Sequence, residues 1–275
     1  MKTSVLRLTM VLSSLQATSA LAEIPAPLRE VNQTVSVQIG ALGQDYFEHD
    51  DYGEVPTDYL DREDGTLGAL ALEGRWLKDA WLYQAQVRLA AGETDYDGYL
   101  QNLNTGEITP HQSTTDNLMQ TARVSIGYLQ PLGGALALIP GAEIGSRFWN
   151  RSLQGIGGYD EQYFDVHAGL SLTAQAALSE RLVASLQAAG GSTVYGMINV
   201  DSVDLREELG RKPYYRLGAG LDYRLDARWH LKADLAYERF GYGESNVSEY
   251  NGKFYREPRS RTRQQSVLVG VGYRF

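Results

Sequence analysis

The chain has 275 residues, with 25 Lys and Arg, 34 Asp and Glu and a formal net charge of −9. A chain this acidic is poorly suited to bind DNA or RNA, because nucleic-acid phosphates attract basic surfaces. The absence of cysteine excludes disulfides, thiolate metal sites and cysteine nucleophiles. At this length the sequence forms one large domain or two small ones.

The first 22 residues have the features of a secretory signal peptide. Lys2 and Arg7 accompany an apolar stretch around residues 5–15, and Ala20 and Ala22 form a small-x-small cleavage pattern. The apolar stretch is too short, and too interrupted by Ser and Thr, to be a spanning helix. We expect export and cleavage before Glu23. The mature chain, residues 23–275, then has 23 basic and 34 acidic residues and a net charge of −11.

Apolar and polar residues alternate in ten segments of the mature chain. Alternation over about ten residues is the weak signature of a membrane β-strand, with one face toward lipid and the other toward the lumen. Nothing in the mature chain approaches the roughly 18 apolar residues that a spanning helix needs. The segments are residues 33–42, 66–77, 80–92, 118–130, 135–148, 162–176, 182–194, 213–225, 229–242 and 263–275.

The connections between these segments alternate in length. Four are of tight hairpin length: KDA at 78–80, PLGG at 131–134, LSER at 178–181 and DAR at 226–228. The others are long and polar: residues 43–65, 93–117, 149–161, 195–212 and 243–262. Outer-membrane barrels have short periplasmic turns and long extracellular loops. The sequence therefore predicts an all-β fold, a ten-stranded antiparallel transmembrane β-barrel with both termini on the periplasmic side.

Aromatic residues at the ends of the apolar faces predict a girdle at the membrane boundary. These residues are Trp76, Trp81, Tyr128, Tyr223, Trp229 and Tyr273. The chain ends VLVGVGYRF, and this strand with its final Phe resembles the signal of Gram-negative outer-membrane β-barrels that the barrel-assembly machinery reads. Val271, Tyr273 and Phe275 would carry that signal. The resemblance implies an outer-membrane location, with outer-membrane lipid and lipopolysaccharide around the barrel.

A narrower resemblance concerns possible catalysis. TDYDGYLQ (94–101) and IPGAEIGSRFWNR (139–151) resemble a group of predicted outer-membrane barrels, and the strand count is similar to that of omptin protease and adhesin barrels. Omptins use a pair of aspartates facing an Asp–His pair at the extracellular rim to activate water. Asp95 and Asp97 match the first pair. Asp165 and His167 lie on segment six, beneath the third long loop, whereas the resemblance places the Asp–His pair near the fourth. We expect no catalytic site.

Strand alternation turns many charged residues toward the lumen. A barrel of ten strands is only slightly wider than one that its own side chains fill. Opposite charges in such a space should pair, because an unpaired buried charge is costly. The predicted inward set is Glu73, Arg75, Arg88, Arg123, Glu143, Arg147, Asp165, His167, Arg216, Asp222, Arg224, His230, Lys232, Asp234 and Glu238.

The first long connection is acidic and the last is basic, and both are rich in tyrosine. Closing the barrel pairs the last strand with the first, so we expect these connections to stand side by side. The sequence predicts a non-enzymatic barrel with a plugged lumen and interaction-competent loops for an unidentified extracellular ligand. A narrow porin-like channel and an omptin-like surface protease are the alternatives. No metal site and no cofactor are predicted.

Replacing the terminal Phe275 with Asp should impair membrane insertion, because the change places a charge at the end of the assembly signal. We expect the variant to accumulate in the periplasm, measured by fractionation and immunoblotting. A matched Arg274→Gln variant should insert normally. Normal outer-membrane levels of the Phe275→Asp variant would contradict the assignment of the signal.

Overall fold

The computed structural model describes residues 23–101, 105–201, 205–250 and 252–275; the predicted signal peptide lies outside these residues. Ten antiparallel strands form the wall: β1 (Gln33–His49), β2 (Tyr59–Lys78), β3 (Trp81–Gln101), β4 (Ile108–Tyr128), β6 (Leu136–Leu153), β7 (Asp160–Ala177), β8 (Leu182–Val200), β10 (Pro213–Arg224), β11 (Trp229–Phe240) and β15 (Ser260–Arg274). The smaller elements are α1 (Ala26–Val31), β5 (Gln130–Gly133), β9 (Leu205–Gly210), β12 (Gly243–Ser245), β13 (Ser248–Tyr250) and β14 (Lys253–Tyr255).

The wall closes on itself. Successive wall strands pair in chain order, β10 pairs with β8, and β15 pairs with β1 from Thr34–Arg274 to Glu48–Ser260. Closure satisfies the backbone hydrogen bonds of every wall strand within the sheet, which the water-free interior of a bilayer requires. The prediction of a ten-stranded antiparallel barrel is confirmed.

The outward face of the wall carries an apolar belt. Its solvent-exposed members include Val35, Val37, Ile39, Leu70, Leu72, Val87, Leu89, Val124, Ile126, Ile144, Leu170, Leu172, Leu186, Leu217, Leu221, Leu231, Leu235, Val267, Val269 and Val271. Exposed apolar side chains over this whole circumference fit lipid rather than water. Predicted girdle residues contact one another across neighbouring strands at the periplasmic edge of this belt. The ring centroids are 5.3 Å apart in Trp81–Tyr128 and in Trp229–Tyr273.

The strands extend further on the extracellular side than the sequence pattern indicated. The predicted connection 43–65 is strand up to His49 and again from Tyr59, and the predicted connection 93–117 is strand up to Gln101 and again from Ile108. These predicted loop bounds are therefore wrong. Above the belt the outward face meets water and becomes polar, so apolar alternation ends before the strand does.

A short helix, which the sequence pattern did not predict, occupies the periplasmic end of the barrel. Leu28 and Val31 of α1 are buried against a cluster of inward apolar side chains that includes Leu82, Leu129 and Ile139. Asn32 donates a hydrogen bond to Gln175 on β7, at 2.7 Å. No helix among the described residues is long and apolar enough to cross a membrane.

Truncating Leu28, which is fully buried, should loosen the helix in the barrel. We expect Leu28→Ala to lower the free energy of unfolding by about 2–4 kcal/mol, from lost apolar burial and the cavity left behind. Guanidinium unfolding in detergent measures the change. The control is Leu178→Ala, because Leu178 is 61% exposed at a periplasmic turn. Equal midpoints for the two variants would show that α1 does not pack in the barrel.

Candidate functional site

The lumen contains every charged side chain of the predicted inward set. Their arrangement is read most simply along β6, whose inward residues rise from Glu143 through Arg147 and Trp149 to Arg151. Glu143 and Arg147 belong to the central layer of the lumen, Trp149 to the layer above it, and Arg151 to the layer nearest the extracellular side.

The layer nearest the periplasm joins charges on the wall to the N-terminal helix. Glu73 accepts hydrogen bonds from Lys232 Nζ at 2.6 Å and is paired with Arg75 Nε at 2.8 Å. Asp222 contacts His230 Nδ1 at 2.5 Å. Glu30 of α1 is paired with Arg224 and Arg274, at 2.6 Å and 2.8 Å. The helix is thus held by ion pairs as well as by apolar contacts.

The central layer is organised around Glu238. Its carboxylate is paired with Arg147 at 2.8 Å and Arg123 at 3.4 Å, and Arg88 approaches to 3.8 Å. Arg147 also binds Asp165, at 2.8 Å. The remaining pair of this layer, Arg216 with Glu143, is joined at 2.7 Å. A buried arginine without such partners would be strongly destabilising, and the ion pairs cross the lumen from one wall strand to another.

Aromatic side chains fill the lumen above this network. Trp149, Tyr46, Tyr163 and Tyr242 are each at most 1% exposed. The rings of Tyr163 and Tyr242 stack with centroids 4.9 Å apart, and Tyr46 meets Trp149 edge-on at 5.3 Å. Ring-to-ring packing without solvent access leaves little room for a water path at this level.

A second charged cluster lies above the aromatic layer, where the outward neighbours on the strands are polar. Arg151 is paired with Asp61, with Glu63 at 2.6 Å and with Glu161 at 2.5 Å. Two further carboxylates border the cluster. Tyr46 donates a 2.7 Å hydrogen bond to Glu48, and Tyr163 donates one of 2.6 Å to Glu257. One guanidinium thus pairs with three carboxylates while two more lie beside it. We name these five carboxylates and Arg151 the Arg151 cluster: Asp61, Glu63, Glu161, Glu48, Glu257 and Arg151.

The imbalance of charge in the Arg151 cluster raises carboxyl pKa values. Burial, followed by the charge of Glu161, raises the pKa of Glu48 from 4.5 to about 7. Burial and neighbouring carboxylates likewise raise the pKa values of Asp61 and Glu257, and burial raises that of Glu161 despite its bond to Arg151. Several of these groups therefore hold protons more tightly than carboxyl groups in water.

Ion pairs join the first long connection, residues 43–65, to the last, residues 243–262, at the extracellular rim. Arg259 forms a two-pronged ion pair with Asp51, one bond being 2.6 Å. Arg256 binds Glu244 at 3.2 Å and lies 3.7 Å above the ring of Tyr52. Asp50 accepts three backbone N–H bonds within its own loop. The two acidic residues Asp61 and Glu63, which lie in the predicted acidic connection, instead point into the lumen.

The candidate catalytic residues are on opposite faces of the wall. Asp95 and Asp97 are outward-facing and exposed, and Asp97 accepts a hydrogen bond from Tyr59 at 3.1 Å. Asp165 and His167 are inward-facing, buried and joined at 2.9 Å, with Asp165 also bound to Arg147. General acid–base catalysis needs its groups within reach of one substrate. The structure does not bring these four residues to one cleft.

The described residues contain no group of three or more His, Asp or Glu side chains arranged to hold a metal ion. The Arg151 cluster was missed by the sequence reasoning. Continuing the inward alternation past the end of the apolar belt, from Glu73 up β2 to Glu63 and Asp61, would have found part of it.

Comparisons with known proteins bear on the fold. No protein-family model and no curated protein match the chain. Its structure is similar to that of the outer membrane protease OmpT from Escherichia coli, with a TM-score of 0.64 and 11% identity, over 88% of this chain and 96% of OmpT. OprG from Pseudomonas aeruginosa gives a TM-score of 0.41 and 11% identity, over 88% of this chain and 96% of OprG. The likeness to OmpT is one of fold: the chain has the closed antiparallel β-barrel fold of that outer-membrane protein.

The raised carboxyl pKa values make the stability of the folded barrel depend on pH. A carboxyl group whose pKa is higher in the folded state keeps its proton after the unfolded chain has lost it, so the free energy of unfolding falls as pH rises. For Glu48 this fall lies between pH 4.5 and about 7. We expect Glu48→Gln to flatten the decline in guanidinium midpoint over this range.

Glu107→Gln is the matched control, because Glu107 is exposed in the β3–β4 connection. This variant should keep the original pH dependence. An unchanged decline in Glu48→Gln would show that Glu48 does not hold its proton in the folded barrel.

Proposed function

We propose that this protein is a non-enzymatic outer-membrane barrel with a closed lumen, and that its fastened extracellular rim binds an external ligand. The central network around Glu238 is the observation that carries the closed-lumen proposal. Three arginines from β3, β4 and β6 meet one carboxylate on β11 across the lumen. Opening a path there would separate charges that stabilise one another in a region of low dielectric constant.

The layers on either side support the same conclusion. The helix α1 occupies the periplasmic end, and the ring stack of Tyr163 and Tyr242 lies above the network. A solute entering from either side would meet a packed layer before it reached the central ion pairs.

The rim supports a role in recognition. The ion pairs of Arg256 and Arg259 and the backbone hydrogen bonds to Asp50 hold the loops in one arrangement. A binding surface that is already ordered loses less conformational entropy when its ligand binds. Phe254, 74% exposed on the β13–β14 hairpin, and Ile156, 93% exposed in the β6–β7 connection, offer apolar contacts to such a ligand.

A narrow channel is the second candidate, because the lumen contains a polar cavity of about 110 Å³. Gln86, Arg88, Arg123 and Arg216 are among its lining residues. At about 30 Å³ per molecule, as in liquid water, this volume holds about four water molecules. Conduction would require α1 to leave the periplasmic end and the aromatic layer to separate, so we place this function second. An omptin-like protease has no support from the positions of Asp95 and His167.

Single-channel recording in planar bilayers tests the closed lumen. We expect no conductance from the folded chain, and none after deletion of residues 26–31, because the central network still blocks the lumen. Combining that deletion with Arg147→Ala and Glu238→Ala in the central network, and with Tyr163→Ala and Tyr242→Ala in the aromatic layer, should produce discrete conductance steps. Heat-modifiable gel mobility confirms that each variant is folded.

Conductance steps from the original chain would make the channel the function of the protein. Steps that begin with the deletion alone would show that the helix, and not the central network, closes the lumen.

A further inference from the structure

Three arginines share the outward face of two neighbouring strands above the apolar belt. Arg239 on β11 lies directly opposite Arg263 on β15, and Arg261 is the next outward residue along β15. We name these residues the arginine cluster. Like charges directly opposite each other on one face of a sheet repel and are destabilising. The β11–β15 pair therefore brings like charges together, and across β15 on the other side Arg263 lies opposite the single acidic residue Asp45 of β1.

The arginine cluster stands at the level of lipid headgroups. Leu235 and Val267 are the last exposed apolar residues below it, and each is four residues from its arginine on the same strand. Four residues of strand span about 13 Å, and the tilt of barrel strands shortens the vertical distance. The long arginine side chains can also extend back toward the bilayer.

Aromatic side chains, and not carboxylates, hold two of the three guanidinium groups of the arginine cluster. Arg239 donates a 2.7 Å hydrogen bond to the Tyr215 hydroxyl, and Arg261 lies 4.9 Å above the ring of Phe47. Within the described part of the chain, none of the three arginines forms an ion pair; the pairs of this rim belong to Arg256 and Arg259. These aromatic contacts position the guanidinium groups without neutralising them.

One donor of the arginine cluster has an unmet hydrogen bond. The Nε atom of Arg261 is buried and has no hydrogen-bond partner among the residues that the structure describes. A ligand with several acceptor oxygens would supply one.

The next sector of the rim has the opposite charge. Three aspartates continue the row of outward residues that begins at Arg263, one on each of the next three strands. They are Asp45 on β1, Asp64 on β2 and Asp95 on β3. Glu93 and Asp116 form a second acidic pair one step lower. An anion at the headgroup level is therefore repelled by this sector and attracted to the arginine cluster.

We propose that the arginine cluster binds the phosphate groups of a lipid headgroup in the outer leaflet. The planar guanidinium offers paired N–H donors that match phosphate oxygens, and charge-assisted bonds of this kind are strong. Continuity with the belt favours a lipid, because its acyl chains would lie along Leu235, Val267 and Leu217 directly below. Tyr237, between Leu235 and Arg239 on β11, would stand at the boundary between chains and headgroup.

Lipid binding to the folded full chain in detergent tests the proposal. The probe is lipid A carrying two phosphates, compared with its dephosphorylated form, and native mass spectrometry measures the bound fraction. We expect the double variant Arg239→Gln, Arg263→Gln to bind the phosphorylated probe at least tenfold more weakly. The control is Arg62→Gln. Arg62 is on the same outward face, but it lies between Asp64 on its own strand and Asp97 on the neighbouring strand. This variant should bind the phosphorylated probe with an affinity within twofold of the original chain.

Salt and free phosphate give independent measurements on the unaltered chain. Raising the ionic strength should weaken binding of the phosphorylated probe to the original chain more than to the double variant, because salt screens exposed charges. Inorganic phosphate at the concentration of the lipid should not displace it. Heat-modifiable mobility shows that the variants are folded, and removing like-charge repulsion should not impair folding.

Three results would overturn the proposal. Binding of the phosphorylated probe to the double variant within twofold of the original would show that the arginine cluster is not the site. Equal binding of the dephosphorylated probe would show that phosphate is not recognised. Displacement by an equal concentration of inorganic phosphate would identify a site for the free anion and not for a lipid.

Discussion

The enclosed interior of a ten-stranded wall is the constraint on which the rest of this structure depends. Every inward charge shares a narrow space with the inward charges of the opposite wall, so it must find a partner there or destabilise the fold. Glu238 meets this constraint by binding arginines from three strands. The same ion pairs that allow charge inside the barrel also fill it, so stability and closure have one physical origin.

The two charged regions of the lumen differ in their balance. Around Glu238 and Glu143 the arginines are at least as numerous as the carboxylates, whereas the Arg151 cluster has one cation for five carboxylates. The difference follows from position. The central network is at the level of the apolar belt, while the Arg151 cluster lies above it, where protons from the extracellular solution can neutralise excess carboxylates. The fastened loops of Asp51 and Arg259 lie at the same end.

Much of the fold could be predicted from the sequence, since a lipid-facing surface imposes an apolar side chain at every second position. The alternation located all ten wall strands and the inward position of residues such as Arg147 and Glu238. It failed where lipid ends, so the extracellular ends of β1 to β4 were assigned to loops. It also missed α1, because six residues are too few for helical periodicity. Inward position does not determine which charges pair, and the partners of Glu238 depend on the barrel's shear.

Thiol accessibility of the central cavity is the most direct test of the closed lumen. The chain has no cysteine, so a single Ser125→Cys in the cavity lining gives an unambiguous signal. The account predicts that a membrane-impermeant maleimide does not label this thiol in the folded barrel from either side, while it labels Asp97→Cys on the outer surface rapidly. Both thiols should react after unfolding. Labelling of Ser125→Cys in the folded protein at a rate near that of Asp97→Cys would contradict a lumen closed by its own ion pairs.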